Sequence, residues 1–182
     1  MLRSIISDRC FFSTLFRIDS ELAEDTRARG CPCGGALHVA DYPRKPRWPH
    51  DISSEHQHRL SFCCASCRRR LTPPSVRFLG RHVFAFPLVV IASALAQGRS
   101  GHPLALLLRE LGVDRRTFAR WRTWWREVFP ATRFWNLARA RFSPPLDPPS
   151  PASLLDRFAS GLDGLLSLLR FLSPLSRPDP AP

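Results

Sequence analysis

The chain has 182 residues, with 27 Lys and Arg against 15 Asp and Glu, a formal net charge of +12. That length accommodates one domain or two small modules and excludes a large two-domain enzyme. A 44% apolar share is enough for a core, so the chain is not wholly disordered, while 18 prolines divide it into short elements.

Residues 1–30 read as a helical segment, with Asp19 or Ser20 as the cap of a helix over Glu21–Arg29 and Gly30 as its stop. A β-type module is expected over residues 31–82. Its strands fall at Ala36–Tyr42, Arg59–Cys63 and Val76–Leu79, around a polar, proline-bearing loop at Pro43–His58. A helical module follows over 83–142, with helices at Leu88–Gln97 (ended by Gly98), Pro103–Leu111 and Asp114–Phe129. Five prolines in Ser143–Ser153 mark a linker. Over 154–172, Leu155, Phe158, Leu162, Leu165, Leu169 and Leu172 recur at helical spacing, the stripe of an amphipathic helix, and 173–182 is expected to be a disordered tail. No internal repeat is visible.

No segment reads as targeting or spanning a membrane. Arg3, Asp8 and Arg9 interrupt the first residues, and the longest apolar run, Val83–Ala96, contains Pro87 and falls short of the roughly 20 residues a span needs. A cytoplasmic location is therefore expected, where thiols stay reduced and clustered cysteines favour metal over disulfides.

Charge is uneven. Residues 59–141 hold sixteen arginines against Glu110, Asp114 and Glu127, whereas the flanking segments are nearly balanced. A block that basic attracts a polyanion, and nucleic acid is the leading one.

Five of the six cysteines form two clusters, Cys31-Pro-Cys33-Gly-Gly and Cys63-Cys64-Ala-Ser-Cys67. Two tight turns presenting two thiolates each suit a tetrahedral zinc ion, and strand–loop–strand between them is the layout of a zinc ribbon. The expected ligands are Cys31, Cys33, Cys64 and Cys67. Cys64 is preferred to Cys63 because successive residues of a strand point to opposite faces, with His56 and His58 as possible substitutes. A structural rather than catalytic Zn2+ is expected, since no His-x-Glu accompanies the cysteines.

Leu104, Leu107, Leu108 and Leu111 make one apolar helix face, Gly112 ends it, Val113 anchors the turn and Asp114 caps the next helix. Phe118, Trp121, Trp125 and Val128 make the buried face of that second helix. Arg115, Arg122 and Arg126, beside Arg116 and Arg120, make the opposite one. This is a helix-turn-helix whose second helix suits a DNA major groove. Arg68, Arg69 and Arg70, then Arg77 and Arg81, are expected to add phosphate contacts.

A cysteine knuckle pair, an arginine run and then Gly112–Trp121 in this order resembles the zinc-ribbon plus helix-turn-helix regions of bacterial insertion-sequence transposases and their small accessory proteins. The resemblance covers roughly residues 31–130 and is one of layout. It implies recognition of element ends, with strand transfer performed by a separate acidic-triad domain. Only Asp147, Asp156, Asp163 and Asp179 follow residue 130, so no such domain fits and the chain is not expected to be an enzyme.

The expectation is thus an α+β chain, a small zinc-ribbon-like β module followed by a helix-turn-helix module and a C-terminal amphipathic helix, that binds double-stranded DNA. A homodimer or a transposase partner could engage residues 154–172. The competing readings are an RNA-binding module, a scaffold subunit joined through the leucine stripe, and a zinc-dependent hydrolase using Glu55 with His56 or His58.

Overall fold

A computed structural model of the chain describes Ile5, Asp8 and residues 10–80, 83–97, 104–146 and 149–177. Arg81, Gly98, Pro103 and the final residues of the expected tail lie outside the described residues. The architecture is α+β, and the chain divides into two compact units. One, the cysteine unit, comprises Asp8–Phe86 with Arg170–Pro182. The other, the helical unit, comprises Met1–Ser7 with Pro87–Leu169.

The cysteine unit begins with α1, Phe11–Arg29, a single helix of 19 residues where a shorter one starting near Glu21 was expected. Phe11, Phe12, Leu15, Ile18, Asp19, Ala23 and Thr26 are buried along it, at the spacing of one helical face. Asp19 therefore lies inside that face and caps nothing. Gly30 ends the helix with φ 71, a conformation open to glycine.

Two small antiparallel sheets follow. Strand β1 (Leu37–Val39) pairs with β4 (Phe62–Cys64), which pairs with β5 (Arg70–Leu71). Strand β2 (Tyr42–Pro43) pairs with β3 (His58–Arg59), and a 3-10 turn at Ser54–His56 leads into β3. The strand expected at Val76–Leu79 does not form. That segment is irregular, with one bridge between Phe78 and Ala85, because its side chains and amides serve the interior network instead.

At the centre of that network Arg77 Nε donates to Asp19 Oδ2 at 2.8 Å, with the two side chains 0% and 1% exposed. The Asp19 carboxylate also accepts from Ser75 Oγ at 2.6 Å and from the Val76 amide at 2.7 Å. Arg77 donates further to the His56 and His58 carbonyls, at 2.7 and 3.2 Å. Its guanidinium lies 4.8 Å from the Phe16 ring centroid and 4.9 Å from that of Phe78. Arg59 is also buried, donating to the Pro73 carbonyl at 2.6 Å and reaching Ser176 Oγ at 3.4 Å. Burial pulls its pKa down to about 10, against the pull of Asp19, and leaves it charged at neutral pH. Arg77 is thus a structural group, and the expectation that it tracks phosphate is corrected: its charge is spent on an internal carboxylate.

The helical unit holds α2 (Phe86–Gln97) from Pro87 on, α3 (Leu104–Glu110), α4 (Arg115–Thr123), α5 (Phe129–Ala131), α6 (Arg133–Ala138), α7 (Pro151–Leu155) and α8 (Gly161–Leu172) as far as Leu169. The end of the expected linker is helical: Ser150 and Ser153 form a reciprocal capping box at the start of α7. In α8, Leu165, Leu168, Leu169 and Leu172 are each 0% exposed, so the chain itself covers these leucines. Gly164 is required there, since an added Cβ would lie 1.4 Å from the Ala159 carbonyl oxygen.

Two outcomes are expected. Asp19→Ala leaves the Arg77 guanidinium buried and unpaired, and costs roughly 3–5 kcal/mol by urea denaturation; a loss under 1 kcal/mol would contradict the role given to the pair. His56 is buried, its Nδ1 has no hydrogen-bond partner among the described residues, and burial lowers its pKa below 6.5, opposed by Glu55 and reinforced by Arg77 and His58. The folded state thus favours the neutral ring. Its contribution is complete above pH 6.5 and declines as pH falls below that value. Unfolding midpoints of wild type and His56→Gln should therefore converge on acidification, whereas parallel curves would count against it.

Candidate metal centre and nucleic-acid interface

Two turns bring four thiols together. The first leaves α1 at Gly30 and places Cys31 and Cys33, with the Gly34 amide donating to the Cys31 carbonyl at 2.8 Å. The second leaves β4 at Cys64 and closes through the Arg68 amide, which donates to the Cys64 carbonyl at 3.1 Å. In both turns the residue after the second cysteine takes positive φ: Gly34 at 78 and Arg68 at 58. The turns face each other closely, since a Cβ on Gly35 would lie 2.7 Å from Cys64 Sγ.

The sulfurs of Cys31, Cys33, Cys64 and Cys67 all lie within 4.8 Å of one another. Three of the separations are 3.5 Å (Cys31–Cys67), 3.4 Å (Cys31–Cys33) and 3.4 Å (Cys33–Cys64). A tetrahedral zinc–thiolate centre with bonds of about 2.3 Å sets its sulfurs about 3.8 Å apart, so the group is of a size to hold such a metal. Cys63 lies outside it. Its sulfur approaches the Arg68 carbonyl at 3.7 Å, as strand alternation requires of the residue before Cys64. His56 and His58 are not in the group either; their rings pack on Phe16.

The thiols do not ionise alike. The backbone amides of Cys67 and Ser66, with the Cys33 and Cys67 thiols, stabilise a Cys64 thiolate against burial and bring its pKa down to about 6. For Cys31, the Cys33 amide favours the thiolate, but burial and the surrounding thiols outweigh it and push the group up to about 12. Cys67 is also raised: the Arg69 amide lowers it, but the Cys33 and Cys64 thiols outweigh that effect. Four thiols in one small space cannot all become anions unaided, and a cation among them removes the conflict.

The second candidate surface lies in the helical unit. At the end of α3 the Val113 amide bonds to the Leu108 carbonyl and the Gly112 amide to that of Arg109, the paired bonds of a Schellman stop, with Gly112 at φ 62. Asp114 then caps α4, its Oδ1 accepting from the Thr117 amide at 2.8 Å. Hydrogen bonds from the Thr117 side chain and amide lower the Asp114 pKa. Leu107, Leu108, Leu111 and Val113 are buried, whereas Leu104, placed by periodicity on the same face, is 40% exposed.

Beyond Thr123 the helix widens into a π-helical stretch, Trp124–Val128. The wider turn adds a residue to the repeat, so the buried positions run Phe118, Trp121, Trp125 and then Phe129. Val128, expected on that face, is 49% exposed. Phe129 anchors an aromatic cluster, with centroids 5.0 Å from Trp125 and 5.1 Å from Trp135.

Arg115, Arg116, Arg120, Arg122 and Arg126 are all exposed. Arg120 donates to Thr117 Oγ1 at 3.0 Å and Arg126 pairs with Glu127 at 2.8 Å. Arg109, Arg133, Arg139 and Arg141, which no motif singled out, are exposed too. That gives nine outward arginines against Glu110, Asp114 and Glu127 over residues 104–141. The count of basic residues was the signal that could have found them. Arg68, Arg69 and Arg70 are exposed in the cysteine unit, but the Arg70 guanidinium is engaged with the Ala40 carbonyl and Ser61 Oγ and lies over the Tyr42 ring.

Glu55 Oε1 and Ser13 Oγ both approach Nε2 of the His56 ring, at 3.5 and 3.2 Å, and the buried Nδ1 has no hydrogen-bond partner among the described residues.

Asp114→Ala should lower the melting temperature by a few degrees, and Asp114→Asn, which still caps, by less. Equal losses would deny the side-chain cap its role.

No protein-family model, curated protein or solved structure matches this chain.

Proposed function

We propose that the chain is a zinc-stabilised protein that binds double-stranded DNA through α4, associated with a mobile element and without a catalytic domain of its own. One observation carries the reading: a capped helix whose inner face is buried aromatic carries its arginines outward, amid nine exposed arginines and three acids. Such a surface repels itself until a polyanion neutralises it, and duplex DNA supplies phosphate charge along a groove that admits one helix. Arg115 and Arg116, in the first turn of α4, would meet base edges, and Arg120, Arg122 and Arg126 the backbone.

Zinc, held by Cys31, Cys33, Cys64 and Cys67, would fix the cysteine unit and do no chemistry on a substrate. Arg68 and Arg69 would then add phosphate contacts of low sequence preference. Duplex DNA is favoured over RNA because Trp121 and Trp125 are buried, at 3% and 2% exposure, and offer no face for stacking unpaired bases. The link to transposition rests on the layout alone, and because the chain itself covers Leu165, Leu168, Leu169 and Leu172, a partner would not dock on these four leucines.

The test is binding to random-sequence duplex across a salt series, for wild type and the Arg120→Ala/Arg122→Ala double mutant, which removes two of the expected phosphate contacts. Wild type should bind with a steep salt dependence, and the mutant more weakly, with a log–log slope shallower by about 2. No binding by wild type at low salt, or an identical slope in the mutant, would refute α4 as the contact.

A further inference from the structure

A recess of about 340 Å³ opens between α3 and α4, lined by Leu104, Ala105, Leu108, Phe118 and Ala119, with Arg115 and Arg122 beside them. Leu108 and Phe118, each 3% exposed, supply apolar lining, and the 40% exposed Leu104 adds apolar surface open to solvent. We propose that this recess is a docking site for an acidic amphipathic helix of a partner protein.

Charge complementarity identifies the occupant. Among the described residues Arg115 and Arg122 have no hydrogen-bond or ion-pair partner, whereas Arg120 and Arg126 on the same stretch are engaged. The two free guanidinium groups stand seven residues apart, about 10.5 Å along the helix axis. A helix lying alongside α4 with carboxylates at the same interval would meet both. Leucines between those carboxylates would enter the recess, whose volume falls within the range of about 300–1,000 Å³ that binding pockets occupy. Duplex DNA satisfies only half of this arrangement. Its phosphates could pair with the arginines, but it carries no apolar group large enough to fill the space between the helices.

Anisotropy with the full chain provides the test. The probe is a labelled synthetic helical peptide carrying Leu at i, i+3 and i+4 flanked by Glu. Control peptides replace Leu by Ser or Glu by Lys. The expected result is saturable binding of the acidic probe alone, weakened about tenfold or more by Ala105→Glu and by Arg122→Glu. Both substitutions are at exposed helical positions, and circular dichroism checks that the fold is retained. Absence of probe binding, equal binding of the Lys control, or wild-type affinity in Ala105→Glu would each overturn the proposal. So would a recess that responds only to duplex, with Ala105→Glu impairing DNA binding while the acidic probe never binds.

Discussion

The cysteine unit depends on one buried ion pair. Asp19 sits in the middle of the apolar face of α1, where an unpaired carboxylate would be too costly to keep, and Arg77 answers it with both groups almost wholly out of water. Satisfying that carboxylate recruits Ser75 and the Val76 amide, which is why the chain there cannot run as a strand. Satisfying the guanidinium recruits the His56 and His58 carbonyls and the rings of Phe16 and Phe78. One interaction therefore ties α1 to the 3-10 turn, to β3 and to the segment after β5. It also bears on the thiol cluster. The helix that Asp19 anchors delivers Cys31 directly after Gly30, while β4 delivers Cys64, so the two turns meet because both supports are held in one packed unit.

What could be read from the sequence was local. The two cysteine clusters announce paired turns by spacing alone, and strand alternation separates Cys64 from Cys63. Gly112 and Asp114 mark the stop and start of α3 and α4 because left-handed backbone and an N-cap each require few residue types. What was hidden depends on partners far along the chain. Asp19 followed by Ser20 looks like a cap until Arg77, 58 residues away, makes it an interior group. Arg59 and Arg77 count as surface charge in any composition tally, yet both are buried. The π-helical turn, which exchanges Val128 for Phe129, reflects the packing of Phe129 against Trp125 and Trp135 and has no signature in the spacing of apolar residues. The leucine stripe at 154–172 shows amphipathicity, but nothing in its period says whether the chain or a partner covers it.

The two units divide the chemistry. In the cysteine unit, Arg59 and Arg77 are drawn inward to build structure, and four thiols form a group small enough that their thiolates would crowd one another without a counter-charge. In the helical unit, aromatic side chains take the interior and arginines are turned outward. The first arrangement suits a structural cation and the second a large anionic partner. Arg115 and Arg122 border both the proposed DNA-reading face and the apolar recess, so occupancy of the recess and of DNA would compete for the same two guanidinium groups.

The thiol group offers the most direct test of the metal-stabilised reading. Native mass spectrometry of the full chain, purified in the presence of zinc and then treated with iodoacetamide, reads metal content and thiol protection together. One zinc per chain, with alkylation confined to Cys10 and Cys63, is the predicted result. A chain without zinc in which Cys31, Cys33, Cys64 and Cys67 are alkylated as readily as Cys10 would contradict it.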